Sequence, residues 1–217
     1  MKKIKIYLLL TLIVYLSQCS IFKKEDNKSK DLAPLFLLLQ QKNCVIGNET
    51  FIIKEGDISC NENTIAGTGL LLASTEKNVP SLQATITLKE NDSKFIFYGA
   101  SDTDLRTNGS GFRFEVNSAK AFHSDGTAGG VVMTGFAPSL NTPKTVCLEI
   151  HTGETPPHLL GWNSNCPPAP NNSPNYNSEN SGSEPGGTAA KKGEFWGLEL
   201  KKAEIQLTIN NDEIFSH

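Results

Sequence analysis

The sequence predicts an all-β protein, an antiparallel β-sandwich that follows an N-terminal signal and tether. Three observations lead to this prediction. Apolar and polar residues alternate with a period of two in several short segments, which is typical of strands with one buried and one exposed face. Gly, Asn, Asp and Pro separate these segments, as they do in turns and loops. Beyond residue 42, no segment keeps a helical 3.6-residue period.

The first 18 residues are predicted to be a signal peptide. Lysines close to the start form a basic region, and residues 6–16 form an apolar run. Such a run is typical of the hydrophobic region of a signal peptide and is shorter than the ~20 residues of a membrane-spanning helix. This segment is therefore set apart from the folded domain.

Residues 16–19, Leu-Ser-Gln-Cys, resemble the lipobox of bacterial lipoproteins. The first two residues fit that pattern, but Gln18 stands where Gly, Ala or Ser is usual, so the match is to the relaxed spirochaetal type. The resemblance implies cleavage before Cys19 and attachment of acyl chains such as palmitate at that residue. Ser20 is not the Asp associated with inner-membrane retention, which implies an outer-membrane, lipid-anchored protein. The alternative is an ordinary secretory signal that is cut elsewhere.

Residues 19–43 are predicted to be a lipidated tether. Residues 20–31 carry charges of both signs and few apolar side chains, so they cannot bury enough surface to order themselves. Residues 32–41 form a short apolar segment without a helical stripe. We expect this segment to pack on the domain or to lie at the lipid headgroups, and partner binding is the alternative. The membrane is therefore a predicted partner, with its inner or outer face left open.

Four further cysteines, Cys44, Cys60, Cys147 and Cys166, are predicted to form two disulfides. An even number of cysteines in an exported chain indicates an oxidising compartment. Four cysteines allow three pairings, and the simplest joins near neighbours, the first with the second and the third with the fourth. Each bond would close a loop of roughly 15–20 residues and stabilise the fold by about 3 kcal/mol.

A Cys₂His₂ zinc site is the alternative use of the second cysteine pair, because His151 and His158 lie between Cys147 and Cys166. Structural zinc sites usually place two ligands close together in a short turn. Here six residues separate the histidines, and each cysteine stands alone. The pattern also lacks the H-E-x-x-H arrangement of metalloproteases. The sequence therefore favours a disulfide and predicts no metal cofactor.

A calcium site is considered at Asp102, Asp104 and Asn108, which lie in a turn-rich loop. The loop fails the EF-hand pattern, because Arg106 and Arg113 stand where ligands are needed. A looser site of oxygen ligands is the secondary interpretation. The favoured one is a solvated loop that uses Asp and Asn for their turn geometry.

The predicted sandwich domain spans residues 44–217. Its clearest strand segments, in chain order, are LQATITLK (82–89), KFIFYGA (94–100), GFRFEVN (111–117), TVCLEIHT (145–152) and FWGLELKKAEIQLTIN (195–210), the last holding two strands. The chain end is predicted to form a hairpin around Asn-Asn-Asp. Residues 163–193 are rich in Asn, Ser, Pro and Gly and are predicted to be a long irregular loop, either a partner-binding surface or a tolerated insertion.

This succession of amphipathic strands with a terminal hairpin resembles the laminin-G and concanavalin-like jelly-roll sandwiches. The resemblance implies carbohydrate or protein-ligand binding. Trp162, Tyr176 and Trp196 are the candidate sugar platform, with burial in the core as the alternative. Hydrolases of that family carry a paired-carboxylate strand, and Glu194 and Glu199 fall on opposite faces of a regular strand, so no enzyme is predicted.

The charge of the chain makes nucleic acid a poor candidate ligand. The full chain has a net charge of −3, and removal of the signal takes away three lysines and no acid, which leaves −6. The chain has only two arginines, Arg106 and Arg113. Nucleic acid is therefore not a predicted ligand. The predicted function is a lipid-anchored envelope protein that binds or adheres to a glycan or protein, and the alternative is a structural or assembly lipoprotein without an external ligand.

Overall fold

The computed structural model describes residues 42–123, 130–154, 156–167, 173–179 and 193–215. In these ranges it contains one short helix, α1 (Leu105–Asn108), and twelve strands. The strands are β1 (Asn43–Ile46), β2 (Glu49–Asn61), β3 (Thr64–Ala73), β4 (Ser81–Leu88), β5 (Lys94–Ala100), β6 (Gly109–Glu115), β7 (Ser118–Phe122), β8 (Val131–Val132), β9 (Lys144–His151), β10 (His158–Trp162), β11 (Tyr176–Asn177) and β12 (Phe195–Asn210). The predicted signal peptide, the lipidation site Cys19 and most of the tether lie outside the described residues. Within the described ranges, no helix is long and apolar enough to cross a membrane.

The long strand β12 organises the sheet. Its first half pairs with β5 and its second half with β4, while β3 pairs with both halves. A strand has two edges, so β4 and β5 share the edge opposite β3. Strands β6, β7 and β8 continue outward from β5, strands β9, β10 and β11 continue outward from β4, and β2 and β1 extend β3. The pairings are antiparallel, as the alternation predicts.

Strands β2, β3 and β12 bend together where the two halves of β12 meet. The β12–β3 register shifts between Leu200 and Ala203, and Lys202 between them has a φ of 50°. Gly56 in β2 and Gly67 in β3 have φ values of 91° and 124°. Left-handed backbone of this kind is unfavourable for most residues and is tolerated by glycine. We call this bent region the corner.

Hydroxyl groups satisfy the backbone at the corner. The Ser93 hydroxyl donates to the carbonyl oxygen of Lys202 over 2.7 Å, and the Lys202 amide donates to the Thr68 hydroxyl oxygen over 3.0 Å. The bulge takes these backbone groups of Lys202 out of the β12–β3 ladder, and the two hydroxyls replace the lost partners. Ser93 and Thr68 therefore stabilise the bend.

The Cys44–Cys60 disulfide spans the corner. Cys44 pairs across from Phe51 in β2, and Cys60 follows Phe51 by nine residues along the same strand. Nine extended residues span about 30 Å, but the Cα atoms of the two cysteines are 5.6 Å apart. Strand β2 must therefore fold back on itself.

The second disulfide joins Cys147 in β9 to Cys166, with Cα atoms 4.7 Å apart. The simplest of the three predicted pairings is thus confirmed. The alternative, a Cys₂His₂ zinc site, is wrong, because the sulfurs of Cys147 and Cys166 form this disulfide.

The corner divides the sheet into two packed leaves. Leaf A contains the first half of β12 with β5–β8, and leaf B contains the second half of β12 with β4 and β9–β11. One apolar core includes side chains from both leaves: Phe95, Phe97, Phe112, Phe114 and Trp196 from leaf A, and Leu82, Ala84, Ile86, Val146, Leu148 and Ile150 from leaf B. Full burial of a large apolar side chain contributes about 1.5–3 kcal/mol. The predicted antiparallel sandwich is confirmed.

Each leaf also has a covered outer face, which sequence analysis did not predict. On leaf A, Leu105 of α1 packs with side chains of β3, β5 and β7: Leu72, Ile96, Tyr98, Ala100 and Phe122. On leaf B, Ile214 packs with Cys147, Leu160 and Trp162. The predicted C-terminal hairpin is wrong, because residues 211–215 form no strand and instead cover leaf B. The predicted irregular loop 163–193 includes β11, which pairs with β10.

Substitution of Gly67 by alanine should test the corner. A Cβ at Gly67 would collide with the carbonyl oxygen of Asp57, whereas a Cβ at Gly47, also at positive φ, would meet no atom. Gly47→Ala should therefore cost only the left-handed strain, about 1–2 kcal/mol. Gly67→Ala should cost at least about 2 kcal/mol more, because backbone must also move. Urea unfolding of both variants measures this difference, and equal losses would contradict the steric role of the corner.

Candidate functional site

An open cleft of about 400 Å³ lies where three chain segments meet. The segments are the β1–β2 turn, the β3–β4 loop and the end of β12. The lining residues are Gly47, Asn48, Glu49, Thr75, Glu76, Lys77, Ile209 and Asn211. Loops held by a rigid scaffold are where binding residues concentrate. We call this feature the loop cleft.

The loop cleft exists because β12 folds back at the corner. Thr75 accepts a hydrogen bond from the Trp196 indole N–H at the start of β12, over 2.9 Å, and Thr75 also lines the cleft with Ile209 near the end of β12. A straight strand would separate these two β12 residues by on the order of 40 Å. The bend therefore brings both ends of one strand to the same site.

A buried carboxylate anchors the cleft wall. Glu49 is 4% exposed. The Thr75 hydroxyl donates to Glu49 Oε1 over 2.6 Å, and the Lys77 ammonium lies 3.3 Å from Glu49 Oε2. Lys77 also lies over the Trp196 ring, 5.1 Å from its centre, at a cation–π distance. These contacts hold the β3–β4 loop against the β1–β2 turn.

Polar side chains at the cleft rim are available to a ligand. Asn48, Glu76 and Asn211 are exposed, and among the described residues their side chains make no hydrogen bond or ion pair. The amides of the asparagines offer donors and acceptors, the carboxylate of Glu76 offers acceptors, and both kinds of group hydrogen-bond to ligand hydroxyls. The rim is therefore suited to a polar, hydroxyl-rich ligand.

A second open cleft, of about 430 Å³, has a different character. Two of its charged side chains, Asp92 and Lys201, form an ion pair over 3.0 Å, and a third, Lys94, is paired with Glu199. Charges already paired offer less to a ligand. The loop cleft is therefore the better candidate site.

The candidate sugar platform is located in the interior. Trp162 is 4% exposed, Tyr176 6% and Trp196 0%. Stacking on a sugar requires an exposed ring face, and these rings instead pack against neighbours such as Phe51, whose ring is edge-on to Trp196. They act as core residues, the alternative interpretation of the sequence, because their strand positions face covered surfaces. Trp196 contacts two residues of the loop cleft, since its indole N–H donates to the Thr75 carbonyl oxygen and its ring packs against the Lys77 ammonium.

The three calcium candidates shape the start of α1. Asp104 caps the helix by accepting from the Thr107 amide over 3.3 Å. Asp102 accepts from the Asp104 amide over 2.8 Å and from the Asn108 side-chain amide over 2.9 Å. The aspartate oxygens and the Asn108 amide thus serve the turn geometry that the sequence favours.

Sequence reasoning missed a buried charge cluster on the outer face of leaf A. Glu199 is 8% exposed and binds Lys94 (2.8 Å), Tyr98 (2.8 Å) and Arg106 (3.1 Å). Arg106, on α1, also pairs with Glu55 of β2. The cluster therefore ties α1 to three strands. Residues so distant along the chain leave no local sequence signal.

The pKa values of this cluster indicate a structural role. Burial alone would raise the pKa of Glu199, but hydrogen bonds from Arg106, Lys94 and Tyr98 outweigh it and hold the pKa below its ordinary value. Burial and the neighbouring Glu199 charge raise the pKa of Tyr98, and the hydrogen bond to Glu199 raises that of Arg106. A carboxylate held ionised is a poor proton donor at neutral pH.

Two histidines that the sequence separates by six residues lie together on leaf B. His151 and His158 are cross-strand partners in the β9–β10 hairpin, and their ring centres are 5.4 Å apart. Burial alone would lower the pKa of His151, but the hydrogen bond and charge of Glu149 outweigh it and raise that pKa. A predicted β-hairpin in which residue 151 pairs with residue 158 would have placed these two histidines next to each other.

The chain is similar in structure to a solved protein at low sequence identity. No protein-family model matches the chain, and no curated protein matches it. A solved structure of the carbohydrate-binding module CBM66 from Bacillus subtilis is 13% identical, with a TM-score of 0.46 over 76% of this chain and 95% of that one.

Substitution of Glu199 by glutamine should test the charge cluster. Its folded pKa lies below that of the unfolded chain, so as the pH falls below about 4.3 the unfolded state binds the proton first and stability is lost. We expect Glu199→Gln to lower the free energy of unfolding by about 2 kcal/mol at pH 7, less than a fully buried ion pair would contribute, because the partners are partly exposed. Between pH 5 and pH 3, the free energy of unfolding of the variant should depend less on pH than that of wild type.

Glu204→Gln is the matched control, because Glu204 forms an exposed ion pair with Lys89. Such a pair contributes about 0–1 kcal/mol. Urea unfolding over the same pH series measures all three proteins. Parallel curves for wild type and Glu199→Gln would show that Glu199 is not the linked group.

Proposed function

We propose that this protein is a lipid-anchored, non-catalytic binding protein of the outer membrane, which binds a glycan in the loop cleft. The observation that carries the binding role is the set of exposed rim side chains, Asn48, Glu76 and Asn211, that have no partner among the described residues. The volume of the cleft, about 400 Å³, is in the range of small-ligand sites.

Two features support export and anchoring. The disulfides Cys44–Cys60 and Cys147–Cys166 are typical of oxidising compartments outside the cytoplasm. The lipobox resemblance at residues 16–19 favours acylation of Cys19. A chain held at the membrane through the predicted tether, residues 19–43, would present its sandwich domain to ligands beyond the lipid surface.

A glycan is favoured over an apolar or anionic ligand by the chemistry of the rim. Amide side chains donate and accept, as sugar hydroxyls do. The carboxylate of Glu76 and the mature chain's net charge of −6 oppose anionic ligands. Non-catalytic binding is favoured because the buried carboxylates Glu49 and Glu199 are held by internal partners.

Replacement of Cys19 tests the anchor. We expect wild-type protein from cell envelopes to partition into the detergent phase and to carry the mass of acyl chains, because acylated proteins insert those chains in micelles. Cys19→Ala should lose both properties. Intact mass and phase partition measure them. A wild-type protein that stays in the aqueous phase without added mass would contradict the anchor and leave the cleft proposal standing.

Removal of the rim amides tests the cleft. The full chain in detergent is screened against an array of bacterial and host oligosaccharides, and the Kd of any bound sugar is measured by titration. Loss of hydrogen bonds at about 0.5–1.5 kcal/mol each should make the double variant Asn48→Ala, Asn211→Ala bind at least about tenfold more weakly. Asn61→Ala, an exposed asparagine outside the cleft lining, should bind as wild type.

Two results would contradict this proposal. Binding that the double variant leaves unchanged would place the glycan elsewhere. No binding to any sugar, combined with resistance to protease on intact cells, would favour the structural or assembly lipoprotein that presents no external ligand.

A further inference from the structure

The β9–β10 hairpin presents two buried imidazoles to each other on the outer face of leaf B. His151 and His158 are 4% and 2% exposed, and they lie directly opposite in the strand register. Their ring centres are 5.4 Å apart, and two neighbouring imidazoles supply half of the four ligands of a tetrahedral zinc site. The loop cleft and its proposed glycan are separate from this pair in residues and in chemistry.

A buried carboxylate orients the first histidine. Glu149 is 0% exposed, and its Oε1 lies 3.1 Å from His151 Nε2. The amides of Ile214 and Phe215 donate to the same carboxylate over 2.6 Å and 3.1 Å. Metal-binding histidines typically use one ring nitrogen for a carboxylate or carbonyl, which fixes the ring and directs the other nitrogen to the metal. Glu149 provides that arrangement for His151.

The second histidine is held in the same way by a side-chain amide. His158 Nε2 lies 2.8 Å from Asn177 Oδ1, across the β10–β11 pair. Both rings are therefore held by protein side chains before any ligand binds, that of His151 by a residue of its own strand and that of His158 by a residue of β11. Preorganisation of this kind reduces the free-energy cost of binding.

A third ligand comes from the loop that joins the two strands. Glu154 Oε1 lies 3.6 Å from His151 Nδ1, and one ligand atom from each of His151, Glu154 and His158 lies within 4.8 Å of the others. Tetrahedral zinc needs ligand atoms about 3.4 Å apart. Glu154 has a 38% exposed side chain, so a small rotation can close this distance.

A path for the ion and a further ligand are present on the same side. Glu213 Oε1 lies 3.8 Å from His151 Nδ1, and its side chain is 41% exposed. The exposed carboxylates Glu154 and Glu213 therefore face solvent in front of the buried imidazoles. They give an incoming cation a negatively charged entrance.

We propose that His151, Glu154 and His158 bind one divalent transition-metal ion, Zn²⁺, with Glu213 or water as the fourth ligand. Imidazole nitrogen and carboxylate oxygen in a two-to-one ratio suit zinc, whereas calcium prefers oxygen ligands alone. The disulfide cysteines take no part. With Glu213 as the fourth ligand, the metal would join the β9–β10 loop to the C-terminal segment that covers leaf B.

Titration with Zn²⁺ tests the site. The full mature chain, without a polyhistidine tag, is purified in detergent, stripped with a chelator and titrated by calorimetry. We expect one zinc per chain and a rise in unfolding temperature with zinc concentration, because a ligand that binds the folded state stabilises it. Co²⁺ should give the visible bands of a tetrahedral nitrogen–oxygen site without a thiolate charge-transfer band.

Two variants locate the metal, and one serves as control. His158→Gln should abolish the saturable binding, and Glu154→Gln should weaken it at least about tenfold, since changes even outside the ligand shell cost about 10–100-fold. Glu204→Gln, an exposed carboxylate on β12, should bind as wild type. If His158→Gln fails to fold, zinc binding by Glu154→Gln tests the site, because the Glu154 side chain is 38% exposed and its replacement should leave the fold intact. Absence of saturable binding, or binding unchanged in Glu154→Gln, would overturn the proposal.

Discussion

The corner at which β2, β3 and β12 bend together is the constraint on which the rest of the structure depends. Strand β12 belongs to both leaves, so a straight β12 would leave an open sheet with its aromatic face in water. The bend brings Phe97 of leaf A and Leu148 of leaf B into one core. Positive φ at Gly67 and Lys202 makes the turn, and the Cys44–Cys60 bond links the two sides of it. Burial of the core offsets the strain of these residues.

The same bend determines where binding chemistry can occur. It brings the start of β12, where Trp196 donates to the Thr75 carbonyl oxygen, close to the loop cleft that Asn211 lines just after the end of the strand. The outer faces of the two leaves share a different feature: on each, a buried carboxylate is bound by groups of the segment that packs over the sheet. On leaf A, Arg106 of α1 binds Glu199, and on leaf B the amides of residues 214 and 215 bind Glu149. The first cluster is neutralised internally. The second retains two imidazoles and exposed carboxylates, which is why it is the one we assign to a metal.

The sequence predicted structural features that depend on residues close together along the chain. It did not predict features that depend on contacts between distant segments. Period-two alternation predicted the buried face of β4, and short separations predicted both disulfides. The alternation did not predict the burial of Glu149 and Glu199, because the groups that bind these carboxylates lie 65 and 93 positions away along the chain. Helix α1 has four residues, too few for a helical period. The loop cleft forms only where the corner bends β12, and the sequence indicates the corner by a few separated glycines such as Gly56 and Gly67. The cleft was therefore not predictable from the sequence.

Disulfide mapping on the non-reduced protein tests the folded-back sandwich most directly. Trypsin cuts after Lys54, between Cys44 and Cys60, and a glutamate-specific protease cuts after Glu154, between Cys147 and Cys166. Mass spectrometry should find each of these two pairs as linked peptides that separate on reduction. Nine extended residues of β2 span about 30 Å, so a Cys44–Cys60 link requires the bend. Links from Cys44 to Cys147 or Cys166, or free thiols at Cys44 and Cys60, would contradict it.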